Sequence, residues 1–318
     1  MDAAIRCHGL TKRYGQVYAV SDLDLEVPKG SVFGFLGPNG SGKTTTIRLL
    51  TGLARPTAGH AEVAGVDPAH GGMELRQRIS HQDQESRLYG FMSGRELLRF
   101  VGRLFGLHGQ QLDSRVDEVL ARTGISDAAN RRIAGYSGGM RQRLNLAQAL
   151  VSRPSVLFLD EPASSLDPAG RREVLDLLAD LRGEVTVFMS SHILEDVEKV
   201  CDRVGIIDRG RLVADGELAE LQAHYAKPVF LVELEPGQTA AEAELLDRLE
   251  RAPLTTGVGR DGSTIRVAVS DAAGASPRLL AILAESGLAV ARFERVQPSL
   301  EEVFLQLVPQ RAAPVQDS

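Results

Sequence analysis

Two short stretches carry residue types that could act on a phosphate anhydride. Gly37, Gly42, Lys43 and Thr44 fit the spacing G-x-x-x-x-G-K-[ST] within Gly37-Pro38-Asn39-Gly40-Ser41-Gly42-Lys43-Thr44-Thr45. Glycines let a backbone curl until several N–H groups face one anion. A helix that follows aims its positive end at the same point. Lys43 would then reach the β- and γ-phosphates of a nucleotide, and the Thr44 hydroxyl would take Mg2+. The second stretch, Val156-Leu-Phe-Leu-Asp160-Glu161-Pro162, is an apolar run ending in two acids. At a strand's carboxyl end, acids face the crevice where ligands bind in α/β sheets. There Asp160 can hold Mg2+ through its water shell, and Glu161 can act as general base toward an attacking water. Each stretch alone has a plainer reading: a glycine-rich turn that caps a helix, or solvated acids after a strand. Together in one chain they point to a site for ATP.

The surrounding pattern supplies the elements that such a site needs. Residues 31–36 read as a buried strand, and 43–51 as a helix with Ile47 and Leu50 at helical spacing. Strand, glycine loop and helix are the context a phosphate loop requires. Residues 90–125 turn helical, with Leu97, Leu98, Val101, Leu104 and Phe105 forming one apolar face. A further helix is predicted over 139–151. Strands are predicted over 156–159, 184–190 and 202–208, the last turning through Arg209-Gly210 into 211–214. The alternation predicts an α/β domain with a largely parallel sheet, closed by a helix over 217–224. Near Ala226 the character changes. Strand 229–235, helix 239–251, strands 255–259 and 264–270, helix 277–287, strand 289–296 and helix 300–307 follow. That order, β-α-β-β-α-β plus a helix, predicts a small ferredoxin-like α+β domain. The first domain is assigned to 1–225, with a helical subdomain at about 90–150, and the second to 228–308. Residues 309–318 form a polar tail, expected to be disordered.

Composition narrows the classes. At 318 residues the chain fits two domains of about 150 residues each. Hydrophobic residues make up 43% and charged residues 25%, with a net charge of −6 and no basic tract. Duplex nucleic acid is therefore not expected as a partner. Cys7 and Cys201 have no metal-ligand spacing and read as reduced thiols of a cytosolic protein. Lysines number only five against a Lys+Arg total of 36, so Lys43 stands out. No apolar run approaches the ~18 residues needed to span a bilayer. Asp2 and Arg6 break any secretory pattern.

Between the two stretches lies Tyr136-Ser137-Gly138-Gly139-Met140-Arg141-Gln142-Arg143. It resembles the signature motif, usually written LSGGQ, of ATP-binding-cassette ATPases. With that match, the segment from about Ile5 to Gly216 resembles the nucleotide-binding domain of this family: a mixed-sheet P-loop core plus a helical subdomain. Ser190-Ser191-His192 stands where the family's switch histidine does. Ser164-Ser165-Leu166-Asp167 resembles the D-loop. Tyr14, in Arg13-Tyr14-Gly15, resembles the aromatic platform that stacks on adenine. The signature has Tyr136 for Leu and Met140 for Gln, a variant similar to that of drug- and antibiotic-export cassettes. The Q-loop falls in Ile79-Ser-His-Gln82-Asp83-Gln84-Glu85, where register favours Gln84 over Gln82. Structural alternatives stand beside these matches. Tyr14 could be a strand-end aromatic, Ser137 a plain helix N-cap, and His192 a helix-start histidine with no task. The other six histidines match no motif.

The resemblance implies a homodimer of cassettes docked head to tail. Each ATP would lie between the Gly37–Thr45 loop and Tyr14 of one subunit and Ser137, Gly138, Gly139 and Asp167 of the other. Lys43 and a Mg2+ ion held by Thr44, Gln84 and Asp160 would neutralise phosphate charge. Glu161 would activate water, His192 would hold the γ-phosphate, and Gln84 would sense it near a membrane partner. A chain without a span then implies a separate transmembrane permease, with this subunit peripheral on the inner face of the cell membrane. The signature variant and the pattern Gln297-Pro298-Ser299-Leu300-Glu301-Glu302-Val303-Phe304 resemble the subgroup that exports drugs, antibiotics or lipids. The C-terminal domain could support the dimer, contact the partner or regulate. The alternative is a soluble cassette ATPase that works as a regulatory or assembly switch.

Overall fold

Strands buried on both faces read as unbroken apolar runs, and three such runs meet at the centre of the first unit. The computed structural model describes residues 2–84, 88–225, 228–235, 239–296 and 299–308. The chain divides into two compact units, Met1–Leu218 and Ala219–Ser318. The division falls ahead of the boundary read near Ala226, because the helix expected to close the first domain begins at the junction itself.

In chain order the first unit contains β1 (Ala3–Tyr14), β2 (Val17–Pro28), β3 (Val32–Leu36), α1 (Lys43–Leu50), β4 (Ala58–Val63), α2 (Gly72–Arg78) and β5 (Ile79–Gln82). Then come α3 (Gly94–Leu104), α4 (Gly109–Arg122), α5 (Gly138–Leu150), β6 (Val156–Asp160), α6 (Pro168–Ala179), β7 (Thr186–Ser191), α7 (Leu194–Val200), β8 (Arg203–Asp208) and β9 (Arg211–Glu217). The helix α8 (Leu218–Tyr225) follows. A six-stranded sheet runs β5-β6-β7-β3-β8-β9. Its strands are parallel except for β9, which folds back antiparallel on β8 through the Arg209-Gly210 turn. Phe33, Phe35 and Phe158 surround Phe188, with ring centroids 5.3–5.7 Å apart. This cluster fixes the register that matters: Leu36 lies beside Ser191, and Asp160 beside Ser190. The carboxyl ends of β3, β6 and β7 therefore finish level.

A separate antiparallel sheet, β2-β1-β4, was not legible in the sequence. Its register shifts at several points along β1, which breaks the alternation that marks a strand. α3, α4 and α5 pack on one another, and α3 starts in a capping box of Ser93 and Glu96. The apolar face expected on α3 is only half a core face. Leu97 and Leu98 are buried, but Leu104 is 69% and Phe105 38% exposed.

The second unit contains β10 (Val229–Leu234), α9 (Thr239–Glu250), β11 (Thr255–Asp261), β12 (Thr264–Val269), α10 (Ala272–Ser286), β13 (Val290–Val296) and α11 (Leu300–Leu307). Its antiparallel sheet is ordered β11-β12-β10-β13, the split βαβ arrangement of a ferredoxin-like fold. Phe230, Val232, Leu249, Ile265, Val267 and Leu279 form its core. α10 starts earlier than the expected 277. Asp271 caps it by accepting from the N–H groups of Ala273 and Gly274, and Pro277 lies inside the helix. Gln297, Pro298 and the tail 309–318 lie outside the described residues.

Candidate functional site

The loop after β3 is shaped by contacts that only glycine permits. A Cβ on Gly37 would stand 2.3 Å from the Ile207 carbonyl and 2.4 Å from Ser41 Oγ. Gly42, at φ 116°, would press a Cβ to 2.4 Å from the Ala19 carbonyl. α1 then begins with no side-chain cap and no acid in its first turn. The first-turn N–H groups of Lys43, Thr44 and Thr45 thus keep the unmet demand of a helix N-terminus, which suits an anion. Pro38, Asn39 and Gly40 form the half-exposed to exposed crest of the loop. Ser41 Oγ is buried with no hydrogen-bond partner, an orphan donor within the same curl.

Lys43 is buried and donates to the carbonyls of Gly37 (2.7 Å) and Pro38 (3.2 Å). Burial pulls its pKa down, and the charges of Glu161 and Asp160 pull it back up. Glu161 is the meeting point of the site. Its carboxylate lies 3.9 Å from Lys43 Nζ, 2.9 Å from His192 Nδ1, and accepts from Gln84 Nε2 at 3.1 Å. Its backbone takes the left-handed conformation at φ 48°, which costs an L-residue about 1–2 kcal/mol. The parallel register explains the convergence. Gln82 pairs with Leu159, so β5 releases Asp83 and Gln84 beside Asp160 and Glu161. β7 ends beside Asp160, so His192 emerges there too. Gln82 itself is buried with Oε1 unpartnered, and it is Gln84 whose side chain reaches Glu161.

Thr44, Gln84 and Asp160 line one cavity of about 900 Å3. Their hydroxyl, amide and carboxylate oxygens are the hard donors that Mg2+ prefers. Among the described residues no cluster of three or more His, Cys, Asp or Glu occurs. Such a donor set fits an ion that takes the rest of its shell from water and substrate phosphates.

Besides Thr44, Gln84 and Asp160, no residue assigned a site role from the sequence lines this cavity, Lys43, Glu161 and His192 included. Tyr14 is half exposed at the end of β1, with the Lys12 ammonium 5.0 Å from its ring centre. Ser137 caps α5 by accepting from Met140 N–H at 3.2 Å, and it is exposed together with Gly138. Asp167 caps α6 through Gly170 N–H at 2.8 Å. Tyr136, where the signature motif usually has Leu, is buried and donates its hydroxyl proton to the Ala128 carbonyl at 2.6 Å. One residue had no assigned task in the sequence reading. Ser190 donates from Oγ to Asp160 Oδ1 and accepts from Glu161 N–H at 3.1 Å. The signal was a pair of hydroxyls, Ser190 and Ser191, closing a strand whose middle is apolar.

A phosphate loop, two acids at a level sheet edge and a histidine just past the neighbouring strand define a P-loop nucleoside triphosphatase. Residues 20–164 match the family described as ABC transporter. Residues 216–308 match the C-terminal domain of DrrA1-3-like ATP-binding proteins. The chain is 40% identical to the daunorubicin resistance ATP-binding protein DrrA3 of Streptomyces coeruleorubidus, over 96% of each chain. It is 33% identical to the bacitracin transport ATP-binding protein BcrA of Bacillus licheniformis, over 97% of this chain and 98% of that one. Among solved structures, cbiO1 of Clostridium perfringens, part of an ABC transporter complex, aligns with a TM-score of 0.65 at 29% identity. That alignment covers 70% of this chain and 92% of the other. The chain belongs to the ATP-binding proteins of ABC transporters, which hydrolyse ATP to drive transport.

Proposed function

We propose that this protein energises export of a small molecule, a drug, antibiotic or lipid, through a separate transmembrane permease. The reading is carried by the convergence of Lys43, Gln84 and His192 on Glu161. The relatives named for daunorubicin resistance and bacitracin transport support the direction and class of cargo. Among the described residues no helix is long and apolar enough to cross a membrane, which favours a permease on another chain. Such a partner would hold this subunit on the inner membrane face.

Lys43 and the uncapped first turn of α1 bind and orient the triphosphate. Thr44, Gln84 and Asp160 would hold Mg2+, which when bound would supply positive charge against the phosphate oxygens. Glu161 takes the proton of the attacking water as the bond to the γ-phosphate breaks. His192 holds the γ-phosphate, and Gln84 ties its presence to the mouth of the cavity. Tyr14 stacks on adenine. The capped, exposed helix start at Ser137, Gly138 and Gly139, with Asp167, faces the nucleotide of a second copy. ATP then joins two copies head to tail, and hydrolysis releases them.

Leu53 and Phe105 line the cavity, and Phe100 and Leu104 stand exposed on α3. Exposed apolar groups in one region mark an interaction surface, and the permease is the occupant assigned to it. The test is Glu161→Gln. The variant is expected to keep MgATP, to turn over at least about 100-fold more slowly, and to elute as a dimer with ATP. Undiminished turnover would remove Glu161 as the base, and a monomer with ATP bound would remove the head-to-tail dimer.

A further inference from the structure

All six residues of β7 are buried, and Ser190 is 0% exposed. A β-branched apolar residue would pack better in such a strand, and a buried hydroxyl costs stability unless it is hydrogen-bonded. Ser190 uses both its donor and its acceptor, and both go to the acids of the site. Its Oγ donates to Asp160 Oδ1. Among the described residues no other side chain donates to that carboxylate. The Glu161 N–H is shared between Ser190 Oγ at 3.1 Å and the Ser190 carbonyl at 3.2 Å. That N–H belongs to the left-handed turn that swings the Glu161 side chain toward Lys43 and His192.

From this geometry we infer that Ser190 is a positioning residue for hydrolysis, setting the Asp160 carboxylate toward magnesium while pinning the strained turn of Glu161. The inference rests on the roles proposed above for those two acids. With the donor removed, the Asp160 carboxylate can rotate away from the metal, and Glu161 keeps only the carbonyl half of its tie. Metal-dependent binding and the chemical step should both suffer. Nucleotide binding without metal should not, because Lys43 and the loop amides do not touch Ser190.

The experiment uses the full chain and the fluorescent nucleotide N-methylanthraniloyl-ATP, titrated with Mg2+ and, separately, in EDTA. For Ser190→Ala the Mg2+ concentration at half-saturation should rise about fivefold or more, as for the loss of a hydrogen bond to a charged group. Affinity in EDTA should stay within about twofold. At saturating Mg2+, kcat should fall about tenfold with KM for ATP little changed. Ser190→Thr, which keeps the hydroxyl, should restore all three. Should Ser190→Ala not fold, Ser190→Cys, close in size and a weaker donor, carries the same comparison. An unshifted Mg2+ titration, an equal loss in EDTA, or a folded Thr variant that fails to recover would each overturn the inference. If the unmodified chain shows no Mg2+-dependent nucleotide binding, the ATPase reading falls first, and this inference with it.

Discussion

Lys43 is unusual in having its charge enclosed by groups that oppose one another. Burial disfavours the ammonium, Glu161 and Asp160 favour it, and two loop carbonyls accept hydrogen bonds from it. An ammonium so held is available to phosphate without reorganisation. Lys43→Ala removes it and leaves the Glu161 carboxylate without its nearest cation. MgATP affinity measured by equilibrium dialysis should fall at least tenfold, the scale of a lost charge-assisted contact. Unchanged affinity would dissolve the site as drawn. How much of this could be read from the sequence depends on distance along the chain. Lys43 and Thr44 follow Gly37 within one turn, and Asp160 and Glu161 are adjacent, so type and spacing alone expose them. Gln84 and His192 needed the family resemblance, and the sheet register then puts both side chains on Glu161. Ser190 depends wholly on that register: its partners are 29 and 30 positions away and come within reach only once β6 pairs with β7.

The helices that follow Asp167 and His192, α6 and α7, are joined by two ion pairs, an exposed one between Asp176 and Lys199 and a buried one. Arg171 in the first turn of α6 meets Asp196 of α7, Nε to Oδ1, at 2.6 Å, and Asp196 is buried. Burial pushes the Asp196 carboxyl above its ordinary 3.8, while the Arg171 guanidinium holds it down. With the folded pKa raised, the native state binds a proton more tightly than the unfolded chain, so stability falls as pH climbs through that window. Arg171→Ala removes the opposing charge and widens the window upward. The loss should be about 2–4 kcal/mol at pH 7.5, as for a buried pair broken on one side, and markedly smaller at pH 5. Urea unfolding at the two pH values measures it, and adding Asp196→Asn should recover most of the loss at pH 7.5. A deficit equal at both pH values would mean that packing, not charge, explains the variant. α6 itself was not legible in the sequence. Pro168-Ala-Gly170 looks like a loop, yet Asp167 caps it and proline suits a first helical turn. The alternation of the second unit was legible because its strands are short and separated by turn residues. β1 was not, because bulges interrupt its period; in β2 the alternation of Leu23, Leu25 and Val27 was there to be read and was missed.

An ATPase that drives transport must hand its movement to something outside itself, and Phe100 and Leu104 of α3 stand exposed rather than packed in the core. Leu104 and Phe105 continue the helical spacing of Leu97 and Leu98, so sequence periodicity placed all of them on one apolar face. Spacing reports which face a residue occupies, but not where along the helix the covering layer stops. Here it stops after Gly102, and Leu104 stands 69% exposed. The neighbouring cavity joins this surface to Thr44, Gln84 and Asp160. A segment seated against Phe105 would therefore lie on the cavity that Gln84 also lines. Burying Leu104 against a partner would contribute about 1.5–3 kcal/mol, and a charge at that position would cost more than the lost contact, since it must be desolvated. Leu104→Asp should therefore release the chain from membranes when it is expressed with its permease, reducing co-sedimentation at least about tenfold. Nucleotide affinity, measured in parallel, reports whether the variant is folded. Folded Leu104→Asp that still sediments with the membrane would move the docking surface away from α3, and a native chain that never associates with membranes would favour the soluble switch over the exporter.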